Sequence, residues 1–171
     1  MSRLLALDFG TSLGYAYVDY TEDHVPEKAI ASFSGIWDLS SRRHEGAGMR
    51  FVRLRRYLEE MKPTMIVYEE VAARFKSTAA AMMYGGIRSV VTAFCEERKV
   101  PYAGIPVGTV KKRATGKGNA NKEAMIQAAI NFFGADQLDV VRAGKGDDDI
   151  ADALWLCQLG IEDFLPGKDT A

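Results

Sequence analysis

No apolar run in the 171 residues approaches the ~18 needed to cross a membrane, and no signal-peptide core follows Met1. A cytoplasmic protein with no membrane partner is expected. Cysteine is scarce: Cys95 and Cys157 are the only two, they lack metal-type spacing, and each sits in an apolar helical pattern. That excludes a disulfide framework and a thiolate metal centre, and predicts free core thiols. The two histidines, His24 and His44, have no partner at ligand spacing, so imidazole chemistry is not indicated either. There is no low-complexity stretch, internal repeat or long linker, which predicts a single domain over 1–171 with a loose tail at 165–171. Net charge is also slight, at −1.

That average conceals a segregation. Residues 105–122 hold Lys111, Lys112, Arg113, Lys117 and Lys122 and no acid, whereas residues 136–152 hold six aspartates against Arg142 and Lys145. A basic loop fits a polyanion and an acidic focus fits a divalent cation.

The runs LLALDFG, GYAYVDY and AIASFSGIW read as three consecutive antiparallel strands. GMRFVRLRRYLEEM has Phe51, Leu54, Leu58 and Met61 at helical spacing, with Arg50, Arg53, Arg55 and Arg56 on its solvated side. TMIVYEE is a fourth strand, followed by the linker VAARFKS and a long helix over TAAAMMYGGIRSVVTAFCEERK. VPYAGI is a fifth strand, VGTVKKRATGKGNA a short helix entering a basic loop, and NKEAMIQAAINFF and DDDIADALWLCQLGIEDF are helices. The order, written βββαβαβαα, predicts an α/β domain with a mixed five-stranded sheet and helices on both faces.

The acids sit at element ends. Asp8 closes the first strand before Gly10, Glu69 or Glu70 closes the fourth, and Asp147, Asp148 and Asp149 open the last helix. Capping accounts for Asp147 and Asp148 well and for Asp149 tolerably, but not for Asp152 inside the apolar run, one turn from Asp148 and Asp149. If these strands and this helix meet, the carboxylates converge without His or Cys, which is the donor set of a hard cation such as Mg²⁺. Two such ions would clamp the attacking and leaving oxygens of a phosphodiester. Acids beside a basic loop thus indicate metal-dependent phosphoryl transfer on a polyanion.

In order along residues 3–160, LLALDFGTSLGYAYV, MIVYEEV, VKKRATGKGNANKEAM and DDDIADALWL resemble the motifs of the RuvC family of Holliday-junction resolvases, which have a ribonuclease-H-like fold. The resemblance implies that Asp8, Glu69, Asp149 and Asp152 bind two Mg²⁺ ions, with Mn²⁺ as a substitute and Glu70 and Asp148 as alternates. It places functional lysines at Lys111 and Lys122, the latter neutralising charge on the phosphate. It further implies a homodimer that makes paired nicks in four-way or other branched DNA. Lys112, Arg113 and Lys117 would hold backbone phosphates, and Arg74, Phe75 and Lys76 would reach the junction centre. The helix around AAAMMYGGIRSVV is the candidate dimer interface. Two positions depart from the pattern: Ala72 stands where bacterial members often carry a wedge aromatic, and Glu70 where a neutral polar residue is usual. Three rival readings are a YqgF-type nuclease acting on structured RNA, a non-catalytic junction-binding protein, and an ATP-binding protein suggested by LDFGTS, for which 171 residues are too few.

Overall fold

A central strand covered by helices on both faces requires an unbroken apolar run, and Leu4, Leu5, Ala6 and Leu7 are all fully buried. The structure, a computed structural model, describes residues 1–30, 33–72, 75, 77–134 and 147–165. Its strands are β1 (Ser2–Asp8), β2 (Ser12–Tyr20), β3 (Ser34–Asp38), β4 (Met65–Glu70) and β5 (Tyr102–Pro106). Its helices are α1 (Met49–Met61), α2 (Thr78–Arg98), α3 (Val107–Thr115), α4 (Lys122–Phe133) and α5 (Asp147–Phe164). The sheet order is β3-β2-β1-β4-β5. The first three strands are antiparallel neighbours, while β4 and β5 run parallel to β1.

Strand periodicity sorts the core into two layers. Leu4, Ala6, Ala16, Val18, Met65 and Val67 face α3, α4 and α5; Leu5, Leu7, Leu13, Ile66 and Tyr68 face α1 and α2. Cys157 lies in the first layer and Cys95 in the second, both free, and burial pushes the Cys95 thiol up to about 12. Local chemistry sets the helix ends. Ser77 and Asn121 cap α2 and α4 by accepting from the Ala80 and Ala124 amides at 3.1 and 2.9 Å.

Three expectations are corrected. The short helix expected after β5 is present as α3, so the written order gains one helix and becomes βββαβαβααα among the described residues. The third strand starts at Ser34 rather than Ala29, because the buried Ala29 donates its N–H to Gln158 Oε1 of α5 at 3.1 Å instead of joining the sheet. Arg53 is not solvated: it is 8% exposed and bonded to Glu45 and to the Ser40 carbonyl. Of the tail expected at 165–171, Leu165 is buried in the α5 layer and the rest lies outside the described residues.

The Gly85-Gly86 pair divides its roles. A Cβ on Gly86 would meet the Phe51 ring of α1 at 2.5 Å, so this glycine serves packing within the chain. Gly85 meets nothing within 4 Å.

Candidate active site

Alternation along β1 and β4 decides where their terminal acids point. Asp8 continues the Leu4–Ala6 side and Glu69 the Met65–Val67 side, so both fall on the α5 face. The parallel register ends at Leu7 with Tyr68; one step further stand Asp8 and Glu69, about 5 Å apart at strand spacing. On the other flank Asp8 pairs with Gly14 of β2.

Gly14 is where α5 lands. A Cβ there would sit 2.1 Å from the Asp149 carbonyl oxygen and 3.3 Å from Asp149 Cβ. Only glycine lets the first turn of α5 come this close to the sheet. Directly opposed cross-strand Cβ positions are about 5 Å apart, so the Asp8 and Asp149 Cβ atoms stand within about 9 Å of each other. Asp152 follows one turn along the helix. Asp149 and Asp152 are both partly exposed, whereas Ala151 and Ala153 between and after them are buried.

Electrostatics ties Glu69 to this group. Burial and then the Asp152 carboxylate push the Glu69 carboxyl up to about 7, and the Lys111 ammonium partly offsets them. Two of the acids and one lysine therefore share one field. Among the described residues, no three carboxyl groups are already drawn into a ready-made ion cage. The donor set fits a hard cation, because every candidate ligand is a carboxylate.

Glu70, the alternate, goes elsewhere. It lies on the α2 face and pairs with Arg88 at 3.5 Å. The side chains of Asp147 and Asp148 lie outside what is described, as do Arg74 and Lys76.

The basic residues also separate. Lys111 is half-buried beside Glu69, while Lys112 and Lys117 are exposed. Gly116 takes a left-handed φ of 78° to end α3, and the Thr115 hydroxyl accepts from the Lys117 amide at 3.2 Å. Lys122 is exposed at the first position of α4. Arg113 is occupied within the fold: its guanidinium donates to Glu162 at 2.8 Å and lies over the Phe132 and Trp155 rings.

Phe75 is half-buried at the end of an aromatic chain. Tyr68 stacks on Phe9 at 5.0 Å, Phe9 meets Tyr84 at 5.6 Å, and Tyr84 meets Phe75 at 5.2 Å. No local pattern along the chain singles out Tyr84. Its hydroxyl donates to the Glu69 carbonyl and accepts from the Val71 amide, each at 3.2 Å, and so fixes the chain leaving β4. The signal available was a lone tyrosine in an Ala- and Met-rich helix, and only the tertiary contact gives it meaning.

No family model matches the chain. Over 159 residues it is 24% identical to the crossover junction endodeoxyribonuclease RuvC of Fusobacterium nucleatum, covering 91% of this chain and 77% of that protein. Its fold superposes on Thermus thermophilus RuvC in complex with a Holliday junction substrate with a TM-score of 0.66, at 20% identity over 94% of this chain and 98% of that one. Fowlpox virus resolvase, in complex with substrate Holliday junction DNA, also gives 0.66, at 19% identity over 95% and 99%. The chain is similar to RuvC in sequence and RuvC-like, that is ribonuclease-H-like, in fold.

Proposed function

We propose that the protein is a metal-dependent endodeoxyribonuclease that cuts four-way (Holliday) and other branched DNA by paired nicks from a homodimer. The observation that carries this reading is the gathering of Asp8, Glu69, Asp149 and Asp152 where β1, β4 and the first turns of α5 meet, with Lys111 alongside. The similarity to RuvC supports the same substrate class.

Asp8, Glu69, Asp149 and Asp152 would hold two divalent cations, Mg²⁺ or Mn²⁺. Bound there, the ions would supply Lewis acidity at the phosphate and a water of lowered pKa. Glu69, whose carboxyl is raised to about 7, would have to be deprotonated to serve as a ligand. Lys122 approaches the phosphate and neutralises charge that grows in the transition state. Lys112 and Lys117, exposed on the α3–α4 loop, hold flanking phosphates and set the register of the strand. Arg113 keeps its place against Glu162. Phe75 stacks on an unpaired base at the junction centre, supported from behind by Tyr84.

A four-way junction has near two-fold symmetry, and an isologous dimer would place two sites on opposite strands. The outward side of α2, with Met82 73% exposed and Gly85, Ser89 and Ala93 following at helical spacing, is the face we assign to that contact.

Side-by-side incubation with a synthetic four-way junction, a DNA flap and structured RNA, with Mg²⁺ and with EDTA, tests the reading. Paired, Mg²⁺-dependent nicks in the junction are expected. Cutting of RNA alone would reassign the substrate, and junction binding without any cutting would leave a silent binding module.

A further inference from the structure

The arginines of α1 are expected on its solvated side, yet Arg53 is built into the loop that precedes the helix. Residues 40–56 carry Arg42, Arg43, Arg50, Arg53, Arg55 and Arg56 against a single acid, Glu45. Two of the six are spent inside the fold. Arg55 pairs with Glu59 and Glu97. Arg53, buried, donates to the Ser40 carbonyl and to Glu45, both at 2.6 Å, and so ties together the two ends of the 40–45 loop.

Other bonds tighten the same loop. The Ser40 amide donates to Asp38 Oδ1 at 2.9 Å, the Leu39 amide to the Thr11 carbonyl at 2.8 Å, and the Glu45 amide to the Arg42 carbonyl at 3.2 Å. His44 takes a left-handed φ of 68° at the turn. What this construction presents is Arg42 and Arg43, both exposed, with Arg50 beside them against Met83 Sδ at 3.3 Å.

Topology places the loop at the catalytic end of the sheet. β3 ends opposite the start of β2, with Asp38 paired to Ser12, and Leu39 is bonded to Thr11, three residues beyond Asp8. With β2 between them, β1 and β3 lie about 10 Å apart. Lys111 enters from the other flank, after β5. The acids at the ends of β1 and β4 thus lie between two basic wings.

We propose that Arg42 and Arg43, on this stapled loop, bind backbone phosphates of a duplex arm next to the cut strand, opposite the Lys111–Lys122 wing. The inference rests on the branched-DNA reading above. Arg42 and Arg43 stand beyond β3, two strand positions away from β1, so the contact reaches an arm rather than the scissile phosphate. Holding the loop in place before binding lowers the ordering cost of those contacts.

The test compares the wild type, an Arg42→Ala/Arg43→Ala double variant and an Arg42→Lys/Arg43→Lys double variant. Affinity for a four-way junction is measured in EDTA across a salt series, and cleavage in Mg²⁺ at saturating enzyme. The alanine variant is expected to bind roughly tenfold more weakly at low salt, with the slope of log affinity against log salt reduced by about 1.8, or 0.9 per lost phosphate contact. The lysine variant retains the slope, and all three cut saturated junction at the same rate. An alanine variant with wild-type affinity and slope overturns the assignment while leaving the nuclease reading intact. A wild type that binds no branched DNA defeats both.

Discussion

Glu69 and Glu70 are adjacent and chemically identical, yet the sheet sends them to opposite sides and to opposite fates. On the α5 side Glu69 meets burial, Asp152 and Lys111, and its carboxyl rises to about 7. On the α2 side Glu70 meets Arg88 across a solvated gap. One face crowds like charges together; on the other, Glu70 has a base beside it. Crowding is costly unless something binds, whereas pairing is a resting state, and this difference supports the proposed site on the Glu69 face rather than the Glu70 face.

The largest expected effect lies at the centre of the crowded face. Asp8→Asn should lower Mg²⁺-dependent junction nicking by at least roughly 10³-fold, since it would remove one of the proposed metal ligands, while junction binding in EDTA stays within a few-fold. Gel-shift and nicking assays on one preparation check both. Next comes the contrast itself. Glu69→Gln should cost about 10²–10³ in rate, as removal of one transition-state stabiliser does, and Glu70→Gln only a few-fold. Equal losses at the two positions would erase the distinction between the faces.

Glycines sharpen the comparison in a second way. Gly14→Ala drives a methyl group into the Asp149 carbonyl, and overpacking of this kind costs about 1–3 kcal/mol. It should also lower activity by moving the first turn of α5. Gly85→Ala on the other side meets nothing within the chain and replaces a poor helix former, so the single chain should gain up to about 1 kcal/mol, less whatever the added methyl costs at the dimer contact assigned to this face. Thermal melts of both variants read the difference.

The smallest effect is in pH. A carboxyl raised from 4.5 to about 7 on folding holds its proton in the native chain over a range where the unfolded chain has lost it. Stability of the metal-free protein should therefore fall as pH rises from about 4.5 to about 7, and level off above. Glu69→Gln should remove that decline, and Mg²⁺ should raise the melting temperature more at pH 8 than at pH 5. Melting curves in EDTA and in Mg²⁺ at these pH values provide the check.

Much of this was legible along the chain, and the reason is apolar patterning. Unbroken apolar runs in LLALD and MIVYEE mark strands with two buried faces, with Asp8 and Glu69 at their ends. Whether Glu69 or Glu70 faces α5 could not be read without the register between β1 and β4, a long-range pairing. Arg53 misled for a similar reason. It sits among other arginines on a helix, and only its partners Glu45 and Ser40 in a preceding loop reveal it as buried. Tyr84 depends on a carbonyl fifteen residues away, which no local pattern encodes. Ala29 reads as strand by composition, but its amide is claimed by Gln158 from a helix far along the sequence.

The central claim is that acids from β1, β4 and α5 serve one cation site. Anomalous diffraction from crystals equilibrated with Mn²⁺ tests it most directly. A peak within about 2.0–2.6 Å of carboxylate oxygens of Asp8 and of Glu69 or Asp152 is the predicted result. Mn²⁺ bound only elsewhere on the molecule, at saturating concentration, would contradict it.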